Sequence, residues 1–152
     1  MILYLDTSAL IKIYVEETGS EAVRSAVEAA DAVATHSIAY PETRAALARL
    51  RRERRLSDEA FAQVKRAFAD AWPSFVRVKA EEPLLLRAGE LAELLALRGY
   101  DSVHLAAGEY VRIQSGGSQV VFGCFDDRLR HAAGLLGLKA LELIARAGDA
   151  KS

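Results

Sequence analysis

The first apolar run of the chain, Ile2-Leu3-Tyr4-Leu5, is short and carries β-branched and aromatic residues, so it reads as a buried strand. It ends on an acid, Asp6, after which Leu10, Ile11, Tyr14 and Val15 recur at helical spacing. This alternation continues to the far end of the chain. Ser20 is placed to cap a second helix with Ala22, Val23, Ala26, Val27 and Ala30 on one face. Residues 32–35 form a second strand, and a helix led by Pro41 runs to about Arg55. Ser57 caps the next helix, whose stripe Phe61, Val64, Phe68 and Trp72 reads as core or interface. A third strand covers residues 75–78, and Pro83 opens a helix with Leu84, Ala88, Leu91 and Leu95 on one face, closed by Gly99. A helix from Asp101 turns Val103, Ala106, Ala107 and Tyr110 inward. Residues 119–124 make a fourth strand, Leu129, Ala132, Ala133 and Leu136 mark the helix after it, and residues 139–143 are a last, edge strand.

Strands separated by helical crossovers pair in parallel. The expected fold is therefore α/β, a three-layer α/β/α domain around a central parallel β-sheet of about five strands. It should span residues 1–146, with residues 147–152 as a C-terminal tail. A length of 152 residues suits one such domain, and 51% hydrophobic with 27% charged residues is the composition of a globular protein. Net charge is −1, so a nucleic-acid partner would have to be held by a local patch. The one concentrated patch comprises Arg44, Arg49, Arg51, Arg52, Arg54 and Arg55. It reads either as a solvated helix end or as an RNA-backbone contact through Arg44, Arg49 and Arg52. A single cysteine, Cys124, rules out an intrachain disulfide framework and fits a reducing compartment, most simply the cytoplasm. The N-terminal run lacks a basic flank and is broken by Asp6, so it does not read as a signal peptide. No apolar stretch approaches the ~20 residues of a membrane span.

Candidate chemistry lies in the acids at element boundaries. Asp6 ends the first strand and Asp126 the fourth, while Glu42 and Asp101 open helices. Asp6 by itself could merely cap the following helix, and acids at helix starts are also what complementarity to the helix dipole predicts. If the strand order reverses between the first and fourth strands, Asp6 and Asp126 flank the crevice where open α/β sheets bind ligands. Clustered carboxylates repel one another, and a hard divalent cation such as Mg²⁺ or Mn²⁺ relieves that repulsion. The chemistry that follows is metal-assisted hydrolysis of a phosphodiester. Ser8 follows Asp6 where an aspartate-nucleophile phosphatase would need a second acid, and residues 6–8 lack the glycines of a dinucleotide-binding turn. His36, His104 and His131 show no metal-ligand spacing, and His104 reads as a structural histidine.

Residues 5–10 (LDTSAL), 41–47 (PETRAAL), 99–107 (GYDSVHLAA) and 125–129 (FDDRL), with Gly137-Leu138 trailing, resemble the PIN domain. More narrowly they are similar to the VapC-type toxins of bacterial toxin–antitoxin pairs. The resemblance spans nearly the whole chain in order. It implies an Mg²⁺- or Mn²⁺-dependent endoribonuclease leaving 5′-phosphate and 3′-hydroxyl ends. Its partners would be an RNA substrate and a small cognate antitoxin, in a homodimer or in a heterotetramer or larger assembly with that antitoxin. Asp6, Glu42, Asp101 and Asp126 fall on the acidic metal-binding set, and Ser8 on the hydroxyl position that orients a carboxylate or water. The family commonly has Thr or Ser where Cys124 stands, and the last acid is doubled by Asp127, which stays a candidate ligand. A non-catalytic RNA- or protein-binding module of the same fold is the rival reading; the presence of all four acids favours the enzyme.

Overall fold

The tetrapeptide Ile2–Leu5 becomes β1, the middle strand of a five-stranded sheet in the order β3-β2-β1-β4-β5. The computed structural model describes residues 1–143. Along the chain, β1 leads into a short helix α1 (Thr7–Leu10), prolonged by a 3-10 turn at Ile11–Ile13, and then α2 (Ser20–Ala29). Strand β2 (Ala32–His36) is followed by α3 (Ala39–Arg52) and α4 (Asp58–Ala71), then β3 (Val76–Val78). Helices α5 (Glu82–Leu95) and α6 (Gly99–Gln114) precede β4 (Val120–Gly123), α7 (Asp127–Leu135) and β5 (Lys139–Ala140). All the strand pairs are parallel, and β1 lies between β2 and β4. The order therefore reverses at β1 and β4, which opens a crevice beyond their carboxyl ends.

Side-chain alternation divides the core into two faces. Tyr4, Phe122 and Val120 face α5, α6 and α7 in a cluster with Ala88, Leu91, Leu105, Ala107, Leu129 and Ala133. Leu3, Leu5 and Val121 face the opposite layer, with Ala9, Leu10, Val23, Ala39 and Phe68 from α1 to α4. This is the three-layer α/β/α arrangement expected. The stripe on α4 proves to be core: Phe68 is fully buried, ringed by Tyr14, Tyr40 and Trp72. Phe61 and Val64 cover a smaller cluster of Ile11, Val15, Leu47 and Leu50.

Several element ends differ from the expectation, each for a local reason. Ser20 is the first helical residue rather than the cap. Gly19 caps α2 at φ +90°, where a Cβ would overlap the Phe125 ring, and the Ser20 hydroxyl donates instead to the Val15 carbonyl. Helix α3 stops at Arg52 rather than Arg55. Arg54 turns left-handed at φ 58°, and the amides of Arg55 and Leu56 bond back to the Leu50 carbonyl. Gly99 does not end α5 but starts α6. Ala96 takes the left-handed conformation (φ 52°), returning Leu97 to the core. Tyr110 is exposed, because α6 turns Ser102, His104, Leu105, Gly108 and Val111 inward. The last strand is confined to residues 139–140, and the 146/147 domain limit lies outside the described residues. Among the described residues no helix is long and apolar enough to cross a membrane.

Candidate active site

Asp6 leaves the end of β1 in extended backbone and caps α1 with its carboxylate. Its Oδ1 accepts from the Ala9 amide at 2.9 Å and from the Ser8 hydroxyl at 2.7 Å, while Oδ2 accepts nothing among the described residues. Only 4% of Asp6 is exposed. Burial therefore pushes its carboxyl up to about 6, against the pull of His104 and of the Ser8 and Ala9 donors; the charge of Asp101 pushes the same way as burial. Ser8 has a second task. Its Oγ accepts from the Phe125 amide at 3.0 Å, fastening the end of β1 to the loop after β4.

Glu42 projects from the first turn of α3 and is half-buried. Its Oε1 accepts from the Thr7 hydroxyl at 2.8 Å and lies 3.0 Å from His104 Nε2. Burial alone would raise this carboxyl, but hydrogen bonding and charge from His104 and the Thr7 hydroxyl outweigh it, and Glu42 is held below the usual range. Asp101 lies in the first turn of α6, and Asp126 caps α7 by accepting from the Leu129 amide at 2.8 Å. One guanidinium serves both acids: Arg98 Nε donates to Asp101 Oδ2 at 2.9 Å, and its Nη2 lies 3.8 Å from Asp126 Oδ2. Glu42, Arg98 and Asp101 line one open hollow of about 640 Å³ against α5.

Glu42 and Asp101 thus share one hollow, Arg98 links Asp101 to Asp126, and Ser8 ties the Asp6 end of β1 to the loop after β4. Other candidates fall elsewhere. Asp127 is exposed on the first turn of α7. Cys124 is buried, with its thiol pushed up by burial and by Asp6; its sulfur makes only a 3.8 Å contact to the Asp126 carbonyl. The arginines of α3 separate. Arg44 donates to the Tyr40 hydroxyl. Arg49 lines a hollow with Ser8, Lys12 and Phe125, and Arg52 lines another with Arg51 and Asp58. Sequence reasoning missed Thr7, Arg98 and the role of His104. Thr7 and Arg98 carry no periodic signal, and the partner of His104 is 62 residues away.

Four carboxylates offer hard oxygen donors; among the described residues Asp6 Oδ2 accepts no hydrogen bond, and Arg98 is the cation between Asp101 and Asp126. That donor set fits a hard divalent cation. In the described residues no three His, Cys, Asp or Glu side chains yet stand close enough to hold an ion together, and Asp101 and Asp126 are turned to Arg98.

A family model for the PIN domain matches residues 3–135. The chain belongs to the PIN domain family. Within it, ribonuclease VapC49 and ribonuclease VapC45 of Mycobacterium tuberculosis strains are each 37% identical over 136 residues, covering 88% of this chain and 92% of theirs. The PIN fold is also matched by the crystal structure of FitAcB from Neisseria gonorrhoeae, with a TM-score of 0.66 at 17% identity over 94% of this chain and 98% of that one. All four acids lie inside the matched PIN domain.

Proposed function

We propose that this PIN domain is a divalent-metal-dependent endoribonuclease acting as the toxin of a toxin–antitoxin pair in the cytoplasm. The observation that carries the reading is the sharing of one hollow by Glu42 and Asp101 and the link from Asp101 to Asp126 through Arg98, with Asp6 at the end of the middle strand where the sheet order reverses, in a chain 37% identical to ribonuclease VapC49. Asp6, Glu42, Asp101 and Asp126 would hold Mg²⁺ or Mn²⁺. When bound, such an ion polarises a phosphate and lowers the pKa of a water. The protein's own part is positional. Ser8 orients the Asp6 carboxylate, Thr7 donates to Glu42, and the low exposure of Asp6 keeps bulk water from its charge. Arg44, Arg49 and Arg52 of α3 are the proposed contacts for the RNA backbone, spread over separate surfaces along that helix. A cognate antitoxin and a second copy of the chain are the proposed protein partners.

The test is cleavage of a mixed structured-RNA pool by the purified chain. Mg²⁺ or Mn²⁺ should support cutting and EDTA should abolish it. Metal binding without cutting of any pool would favour a non-catalytic RNA- or protein-binding module.

Arg98 makes a second expectation. It is largely exposed and neutralises Asp101 and Asp126 without a metal, so it competes with one. Arg98→Gln should tighten Mn²⁺ binding about two- to fivefold, the scale of an exposed ion pair. The free Mn²⁺ signal in an EPR titration reads this directly. Weaker binding would show instead that the guanidinium organises the ligands.

A further inference from the structure

Behind the crevice lies a buried polar chain. Tyr4, fully enclosed, places its hydroxyl 2.9 Å from His104 Nδ1, and His104, 2% exposed, places Nε2 3.0 Å from Glu42 Oε1. Donor and acceptor roles follow from elementary chemistry. An ionised carboxylate only accepts, so the ring nitrogen that faces it, Nε2, carries a proton. In the neutral ring Nδ1 is the acceptor, and the tyrosine hydroxyl donates to it. Thr7 Oγ1 lies 3.3 Å from the same Nε2 and donates to the same Glu42 oxygen. The ring is also walled by aromatic neighbours, edge-on to both Tyr4 and His36. A long, flexible glutamate at the start of a helix is thereby held in one place from within the core.

We infer that His104 is a positioning residue: its Nε2–H, fixed by Tyr4, orients the Glu42 carboxylate so that its other oxygen is presented to the crevice. The inference rests on the reading of Glu42 as a metal ligand. It assigns His104 no contact with RNA and no proton transfer. Its effect is to pre-set one ligand, as partners behind a ligand commonly do.

The experiment titrates Mn²⁺ into the full chain, followed by EPR, and compares His104→Asn, His104→Gln and Tyr4→Phe. Asparagine keeps a polar group near Nδ1 and loses the donor to Glu42, whereas glutamine extends an N–H to about the Nε2 position. His104→Asn should weaken Mn²⁺ binding about 10-fold or more, His104→Gln should recover most of it, and Tyr4→Phe should show a smaller loss. Imidazole ¹⁵N shifts of the metal-free chain should report the Nε2–H tautomer. Equal Mn²⁺ affinity for His104→Asn and the parent, or an Nδ1–H tautomer, would overturn the inference alone. A merely structural role would destabilise both His104 variants without the rescue by glutamine. Failure of the parent chain to bind Mn²⁺ would instead remove the metal reading of the acids, and this inference with it.

Discussion

Replacing Asp6 by asparagine is expected to lower RNA cleavage by about 10³-fold, the loss of about 4 kcal/mol of transition-state stabilisation. With EDTA present, the same change should make the chain more stable at pH 8. The two effects share one cause, the burial of a carboxylate without a cation. In the folded chain the Asp6 carboxyl is pushed up to about 6, against 3.8 for the free group. A folded-state value above the unfolded one means that the native chain holds the proton more tightly. Ionisation of Asp6 therefore costs nothing below pH 3.8, an increasing amount between 3.8 and 6, and its full amount above pH 6. That full amount is about 3 kcal/mol, from roughly two pH units at 1.36 kcal/mol each. Asparagine keeps the volume and the acceptor for Ser8 and Ala9 but carries no charge to bury. Urea unfolding of the metal-free proteins should show Asp6→Asn ahead at pH 8 and level with the parent near pH 4. Saturating Mn²⁺ should stabilise the parent and leave the variant nearly unmoved, because only the parent binds the ion well. A variant less stable than the parent at pH 8 in EDTA would mean that the Asp6 charge is already compensated. Cleavage that survives the substitution would remove Asp6 from the site.

The second large effect is in the core. Phe122→Ala should destabilise the chain by about 3–5 kcal/mol, a large share of the 5–15 kcal/mol typical of a domain. Phe122 lies on β4 with no exposed surface, and its ring stacks parallel on Tyr4 at 5.2 Å. Another neighbour is Gly108 of α6, where a Cβ would stand 2.7 Å from two ring atoms. The glycine lets the helix approach the ring closely, so a truncated ring leaves a void that neither rigid neighbour readily fills. Tyr4, no longer stacked, would hold His104 less firmly. Cleavage should therefore fall further than the unfolded fraction accounts for, measured at a temperature where the variant is still folded. Phe122→Leu should lose much less stability. Equal unfolding midpoints for Phe122→Ala and the parent would place the cohesion of this layer elsewhere.

Much of this follows from local chemistry and was legible in the chain. Strand β1, the caps at Ser57 and Asp6, and the alternation of apolar strands with amphipathic helices are encoded within a few residues. The four acids stood out as candidates because each stands at an element boundary, where a charged side chain is not expected to be core, and the resemblance to the PIN domain singled out the same four. Helix ends were less legible. The left-handed residues proved to be Ala96 and Arg54, because the demand that Leu97 and Leu56 turn back against the body of the protein overrode the usual preference for glycine. The inward face of α6 was misassigned at Tyr110 for a related reason. Hydrophobicity picks out apolar residues, but the polar Ser102 and His104 are buried where hydrogen bonds satisfy them.

The sequence by itself determined the element order and the parallel α/β class, since these depend on periodicity, capping and side-chain type. Tertiary structure alone decided which groups surround each acid. Ser8 reaches an amide 117 residues away, His104 reaches Glu42 across 62 residues, and Arg98 draws Asp126 towards Asp101. Such pairings depend on the order of strands and the rotation of each helix. Those are fixed by packing over the whole core and leave no mark in any short stretch of chain.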